Sequence, residues 1–292
     1  MTTASVLTAS AFRAAAARSA RDLPVLTDDQ IRRAAPSVFA EEAHESRGAR
    51  YGFIPTAQVL QGLRNEGFQV VKAAQTRCRD EGKTAFTKHL LRLRHPDASN
   101  LVAVGDEIPE IVLVNSHDGT SSYQLSAGWF RRVCINGLVV ASSQIDDVKV
   151  RHSGNVVDNV IEGSCRVIEN LKQIAPVVDS YRGIQLDRHE QHALARAALE
   201  LRWGSDPETG NSLAPVSTDQ LIRPRREADR NADLWTTFNV VQENLLKGGI
   251  SGRNAFGRRT STRAVAGVDA NVRLNKALWT LTEALASHKQ AA

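Results

Sequence analysis

The residues from Ile108 to Val140, IPEIVLVNSHDGTSSYQLSAGWFRRVCINGLVV, constrain the fold more than any other part of the chain. Ile111 to Val114 is an apolar, mostly β-branched run. Asn115-Ser116-His117-Asp118-Gly119 follows, and then a second strand-like run, Ser121 to Ala127. Asp-Gly between two such runs predicts a β-hairpin with Asn115, Asp118 and Gly119 as turn residues. A tight primed turn needs positive φ, and Gly119 supplies it at little steric cost. Trp129-Phe130-Arg131-Arg132 then mixes large apolar groups with paired cations. Asn136-Gly137 turns the chain into a further apolar run, Leu138 to Ala141. The stretch predicts an antiparallel sheet with a basic edge.

The flanks extend this pattern. Thr27 is a candidate N-cap for a helical turn reaching Ala35, with acids in its first turn. Thr56 is the expected cap of a clearer helix, with Leu60 and Leu63 on one face and Gly67 just past its end. Phe68 to Arg77 and Lys88 to His95 read as strands, and Asp146 to Arg151 as one more. Helical spacing begins near Asn155 and returns strongly in Asp187 to Trp203, Asp233 to Leu246 and Asp269 to Ala286. Asp206 to Ser212 is a turn cluster. Helix, then strands, then helices is the order of an α+β protein, with a β-β-β-α-like core and a helical C-terminal half. The expected division is a flexible N-terminal arm over 1–40 and one domain over 41–286, with a tail at 287–292. The sheet core lies at about 50–150 and the helical part at about 155–286.

Composition excludes several classes. With 292 residues and 42% hydrophobic content the chain can bury a sizeable core. Its three cysteines, Cys78, Cys134 and Cys165, lie far apart and are odd in number, which argues against a disulfide framework and for a reducing cytoplasm. No apolar run is long enough to span a membrane. The formal net charge of +5 is modest, but its placement is uneven.

Three basic clusters follow. The first is Lys247 to Arg263, KGGISGRNAFGRRTSTR, with several glycines and no acid. Glycines let backbone amides approach an anion, and guanidiniums grip phosphate oxygens as a fork. Lys247, Arg253, Arg258, Arg259 and Arg263 are the candidate phosphate ligands, and Phe256 is a candidate stacking platform. The spacing is not that of a P-loop, which removes support for nucleotide hydrolysis. The second cluster, Arg223, Arg225, Arg226 and Arg230, carries Glu227 and Asp229, so internal ion pairing is the equal alternative. The third is Lys88, Arg92 and Arg94 with Arg131 and Arg132. Even spacing puts the first three on one strand face, which would track a phosphate backbone if left open. Scattered surface cations are the bland alternative.

Catalytic motifs are weak. His117 and Asp118 are adjacent, so their side chains point to opposite strand faces, and Gly-x-Ser-x-Gly is absent. His189-Glu190-Gln191-His192 is one residue short of a zincin spacing. Cys134, between Val133 and Ile135, reads as a small core residue. Asp106, Glu107, Glu110, Asp118, Asp146 and Asp147 form the dense acidic region near the sheet, with no spacing that defines a two-metal site. No catalytic residue, metal ligand or cofactor is assigned.

The order strand–Asn-Ser-His-Asp-Gly–strand–Arg-x-Val-Cys-x-Asn-Gly-Leu in Ile108 to Val140 resembles the phage/plasmid-like family known as domain of unknown function 932. The resemblance continues in Leu234-Trp235-Thr236-Thr237-Phe238-Asn239, Gln242-Glu243-Asn244, Gly248-Gly249, Gly257-Arg258-Arg259, Leu274-Asn275 and Ala277-Leu278-Trp279. It runs from about Tyr51 to about Ala286. It implies a mobile-element context near replication, transfer or defence functions and supplies no catalytic residue. The element order is also similar to the core of single-strand annealing recombination proteins, a likeness of topology alone. The expected function is single-stranded nucleic-acid binding, with single-stranded DNA as the expected partner, in a homo-oligomer that promotes annealing. The alternatives are an anti-defence or regulatory protein that binds a host protein and, behind it, a metal-dependent nuclease or hydrolase.

Overall fold

The computed structural model describes residues 25–48, 51–95, 107–131, 137–139, 148–150, 160, 162–164, 174, 176–254 and 257–291. Its first helix, α1 (Asp28–Ala34), starts where a threonine offers its hydroxyl. Thr27 accepts from the Gln30 N–H, and the Gln30 side chain returns the bond, closing a capping box. A 3-10 turn, Pro36–Phe39, follows. Ile31, Ala35 and Val38 are fully buried, so residues 28–39 belong to the folded body and the expected arm boundary at 40 is too late. Residues 1–24 lie outside the described residues.

Helix α2 (Thr56–Asn65) buries Val59, Leu60 and Leu63, and Gly67, at φ +90°, ends it as expected. Its N-cap is Pro55, not Thr56. The Thr56 hydroxyl is used elsewhere, as described below. The strands are β1 (Gln69–Gln75), β2 (His89–Arg94), β3 (Glu107–Asn115), β4 (Tyr123–Arg131), β5 (Gly137–Val139) and β6 (Val148–Val150). They form one antiparallel sheet in the order β1-β2-β3-β4-β5, with β6 also paired to β4. The expected hairpin is β3–β4. Its connection is wider than a two-residue turn, because Ser116 and His117 are drawn inward: the His117 N–H donates to the Phe86 carbonyl at 2.8 Å, and its own carbonyl accepts from His44 at 3.0 Å. Asn115 is therefore the buried end of a strand and not a turn residue. Gly119 keeps its expected positive φ of +76°, and Asp118 caps the loop by accepting from the N–H and hydroxyl of Thr120. Gly137 opens β5 opposite Phe130, whereas Asn136 lies outside the described residues.

Both sheet faces are covered. Leu91, Leu93, Ile111, Leu113 and Leu125 share the main core with α1 and α2. On the other face Leu90, Val112 and Val114 pack against Val268 and Val272 of the last helix.

The C-terminal half supplies helices α3 (Arg188–Trp203), α4 (Thr218–Leu221), α5 (Leu234–Lys247) and α6 (Val268–Ala291). Asp187 caps α3 and Asp233 caps α5, each accepting from a backbone N–H in the first turn. Trp235, Phe238 and Trp279 pack ring against ring between α5 and α6. Between these helices stands a second, two-stranded sheet, β7 (Ser251–Arg253) paired with β8 (Arg259–Ser261). The architecture is α+β, with the helical C-terminal half that the element order predicts. Among the described residues no helix is long and apolar enough to cross a membrane.

Candidate nucleic-acid interface

The candidate cations fall into two groups once they are placed. On the sheet, Glu110 of β3 lies fully buried between two arginines of β2. Its Oε2 accepts from Arg92 Nε at 2.6 Å and its Oε1 from Arg94 Nη2 at 2.7 Å. The arginine side chains are only 7% and 10% exposed. Burial pulls the Arg92 guanidinium down, and Glu110 opposes that by holding the charge. Lys88 is similarly taken: Asp269, at the start of α6, holds its ammonium at 2.7 Å. The even-numbered face predicted to track a phosphate backbone is thus buried, packed at Leu90 against α6, and tied to acids. Alternation places these side chains together correctly, but it cannot say which face a later helix will cover. Arg131 lies in β4 with its side chain outside the described residues, as are Arg132 and Phe256.

In the C-terminal half the acid–base bookkeeping is local. Glu243 of α5 accepts from Arg226 through both oxygens and from Lys247 at 2.6 Å, and Arg226 also donates to Asp229 at 2.7 Å. Two cations meet two buried acids, so Lys247 is not the open phosphate ligand expected of it. Arg230 pairs with Glu227 at 2.9 Å. Internal pairing thus accounts for half of the second basic cluster.

The remainder is different. Arg253, Arg258, Arg259 and Arg263 are exposed, and no acid among the described residues pairs with them. The Lys247–Arg263 segment is not a loose loop but the β7–β8 hairpin. The Asn254 N–H donates to the Arg258 carbonyl at 3.0 Å, and Asn254 Oδ1 accepts from the Arg258 N–H. Gly257, at φ +73°, makes that turn possible. Arg253 and Arg259 are direct cross-strand partners. Like charges directly opposite each other in a ladder repel. Arg253 Nη1 donates to the Gly257 carbonyl at 2.7 Å, which softens this.

Glycine seats the hairpin. Gly252 runs so close to the Pro215 carbonyl that an added Cβ would lie 1.9 Å from it, and the Arg253 N–H donates to that same carbonyl at 2.9 Å. Gly248, at φ +65°, passes within 2.6 Å of the Thr262 and Arg263 backbone by the same measure. The hairpin is therefore seated on the C-terminal end of α5 and on the backbone at Pro215. The arginine-rich connector, Leu221 to Ala228, is held in turn by Asn244, whose Nδ2 donates to the carbonyls of Leu221 and Arg223.

One buried polar site escaped the sequence. His89 Nδ1 lies 2.9 Å from Ser37 Oγ, and His89 Nε2 lies 2.9 Å from Thr56 Oγ1. Thr56 Oγ1 also meets His117 Nε2 at 3.3 Å and accepts from Asn115 Nδ2 at 3.0 Å. Burial, reinforced by the neighbouring His117, pulls His89 down to about 3. The network joins four distant segments, so nothing in local spacing announces it. It is sealed from solvent, which suits a structural role. The adjacent Asp118 carboxylate is pushed up by burial, but its Thr120 hydrogen bonds outweigh this and hold it below its ordinary value. Of the acids expected near the sheet, Glu110 is taken by arginines, and Asp106, Asp146 and Asp147 lie outside the described residues. Among the described residues no three His, Cys, Asp or Glu side chains are grouped to hold a metal ion.

The fold and site together define an α+β protein with a covered sheet and an acid-free, arginine-bearing hairpin on its helical half. The chain belongs to the family described as Domain of unknown function (DUF932), whose model matches residues 43–279. It is 48% identical over 270 residues to the UPF0380 protein YafZ of Escherichia coli (strain K12), covering 92% of this chain and 94% of that protein. The same identity and coverage relate it to the UPF0380 protein YfjQ of the same organism. No solved structure matches.

Proposed function

We propose that this chain is a single-stranded nucleic-acid-binding protein of a mobile element, acting through the β7–β8 hairpin and not through its main sheet. The observation that carries this is the Arg253–Arg259 pair, set opposite each other on the β7–β8 ladder with Arg258 beside them and paired to no acid among the described residues. Such an arrangement costs the free protein self-repulsion, and a polyanion relieves it. Guanidinium forks also match phosphate oxygens in pairs. Strand annealing and assembly into oligomers are parts of this proposal that rest on element order.

Fluorescence anisotropy of labelled single- and double-stranded oligonucleotides at two salt concentrations tests it. The expected result is salt-dependent binding that favours single strands and leaves them intact on a gel. Arg258→Ala with Arg259→Ala should lower the salt slope by about 0.7 for each lost phosphate contact. An unchanged slope removes the hairpin from the site. No binding at low salt discards the function, and a salt-sensitive pull-down of a host protein would then take its place.

A further inference from the structure

Two cavities open beside the arginine-rich connector, and they differ in charge. The first, of about 290 Å³, is lined by Arg188, Arg223 and Arg230 but also by Asp219 and Asp229, so its cations are largely answered. Arg188 in fact holds Asp219 at 2.7 Å. The second, of about 490 Å³, lies at the foot of the hairpin between the connector and the start of β7. Arg223, Arg225, Gln220, Asn244, Gly249 and Ser251 line it, and no acid does.

Arg225 is fixed there by neutral acceptors. Its Nε donates to Asn244 Oδ1 at 2.7 Å and its Nη2 to the Gly248 carbonyl at 2.6 Å. The guanidinium is oriented without being neutralised, so its full charge stays available to the cavity. Arg223 is exposed, and no acid among the described residues pairs with it. Gln220 is locked by its own bond to the Ser251 carbonyl at 2.8 Å, which closes one wall. The contrast with Arg226, which donates to both oxygens of Glu243 and to Asp229, shows that this part of the chain neutralises a cation where the fold requires it.

We infer that this second cavity is a binding pocket for a phosphomonoester, the terminal phosphate of a nucleic-acid strand or the phosphate of a nucleotide. Two uncompensated guanidiniums match a group that carries about −1.5 to −2 charge at neutral pH better than they match an internal phosphodiester with a single charge. It is an open cleft with room for a phosphate group. Ser251, at the rim, begins the strand that carries Arg253, so a strand lying across the hairpin arginines would end in the pocket. This last placement rests on the hairpin being the nucleic-acid face, whereas the pocket's chemistry does not.

The test is anisotropy with one oligonucleotide in three forms, carrying a 5′-phosphate, a 3′-phosphate or hydroxyls at both ends. Adenosine 5′-monophosphate, adenosine and inorganic phosphate serve as competitors. One terminally phosphorylated form should bind about tenfold more tightly than the hydroxyl form, the scale of one or two charge-assisted hydrogen bonds. Arg223→Gln should bring the forms to parity with an unchanged melting temperature, and Arg225→Lys should reduce the preference while keeping the charge. A preference between the ends without competition by the monophosphate makes the strand terminus the ligand. Competition by the monophosphate but not by adenosine, without a preference, makes a free nucleotide the ligand. Equal binding of all three forms together with no competition overturns the pocket. If the hydroxyl-ended strand fails to bind at all, the hairpin proposal falls by itself, and direct titration of adenosine 5′-monophosphate against the wild type and Arg223→Gln decides the pocket.

Discussion

Arg92 and Arg94 on the main sheet and Arg253 and Arg259 on the small one are the same residue type in the same secondary structure, yet they end in opposite states. The first pair flanks Glu110 and is buried beneath the fold. The second pair faces itself in solvent, paired to no acid among the described residues. The difference lies in the neighbouring strand: an acid within reach makes two arginines part of the architecture, and its absence leaves a charge looking for a partner. Counting cations in a sequence cannot separate the two cases, because Glu110 is distant in the chain from Arg92.

The largest effect should come from breaking the buried side. Glu110→Gln leaves two buried guanidiniums without their acid, and a loss of about 3–5 kcal/mol is expected in chemical denaturation. A loss under 1 kcal/mol would mean that the two arginines are not held by Glu110 in solution. Next is the mounting of the exposed side. Gly252→Ala forces a Cβ onto the Pro215 carbonyl, and overpacking of this kind costs up to about 3 kcal/mol. Its oligonucleotide affinity should fall with its stability if hairpin geometry matters for binding, and should stay unchanged if charge alone suffices.

The third prediction concerns the sealed histidines. His89 titrates near 6.5 in the unfolded chain and near 3 in the folded one. Between these values the unfolded chain takes up a proton that the folded chain refuses, so stability falls as pH drops. The expected slope from His89 is about 1.4 kcal/mol per pH unit below 6.5. His89→Gln should be less stable at neutral pH and should lose less between pH 6.5 and 5. A wild-type melting temperature that is flat across that window would show that His89 is solvated. The smallest effect completes the contrast: Arg258→Ala with Arg259→Ala should change stability by no more than about 0.5 kcal/mol per site, or raise it by relieving repulsion. That variant, stable but weak in binding, and Glu110→Gln, unstable for reasons unrelated to binding, would separate the two regions.

Much of the fold is legible in local pattern. The apolar runs flanking Asp118-Gly119 become β3 and β4, and Thr27, Asp187 and Asp233 cap the helices they precede. These are short-range decisions, made by positive φ, by period-two burial and by side-chain oxygens meeting orphan N–H groups. The site was legible only in part. A run of glycine and arginine without acid marked the hairpin region, and four of its arginines do stand exposed. Lys247 was claimed by Glu243 one helical turn away, a pairing that composition could suggest but not choose.

What the sequence determined by itself was the order of elements, their type and the location of the acid-free basic segment. Tertiary structure alone decided which cations are spent. It brought Glu110 across to Arg92 and Arg94, Asp269 to Lys88, and Ser37 and Thr56 to His89. It also left Arg223 and Arg225 around an acid-free cavity. The physical reason is range: capping and turn chemistry act within a few residues, whereas a buried charge is answered by whichever group the packing carries to it.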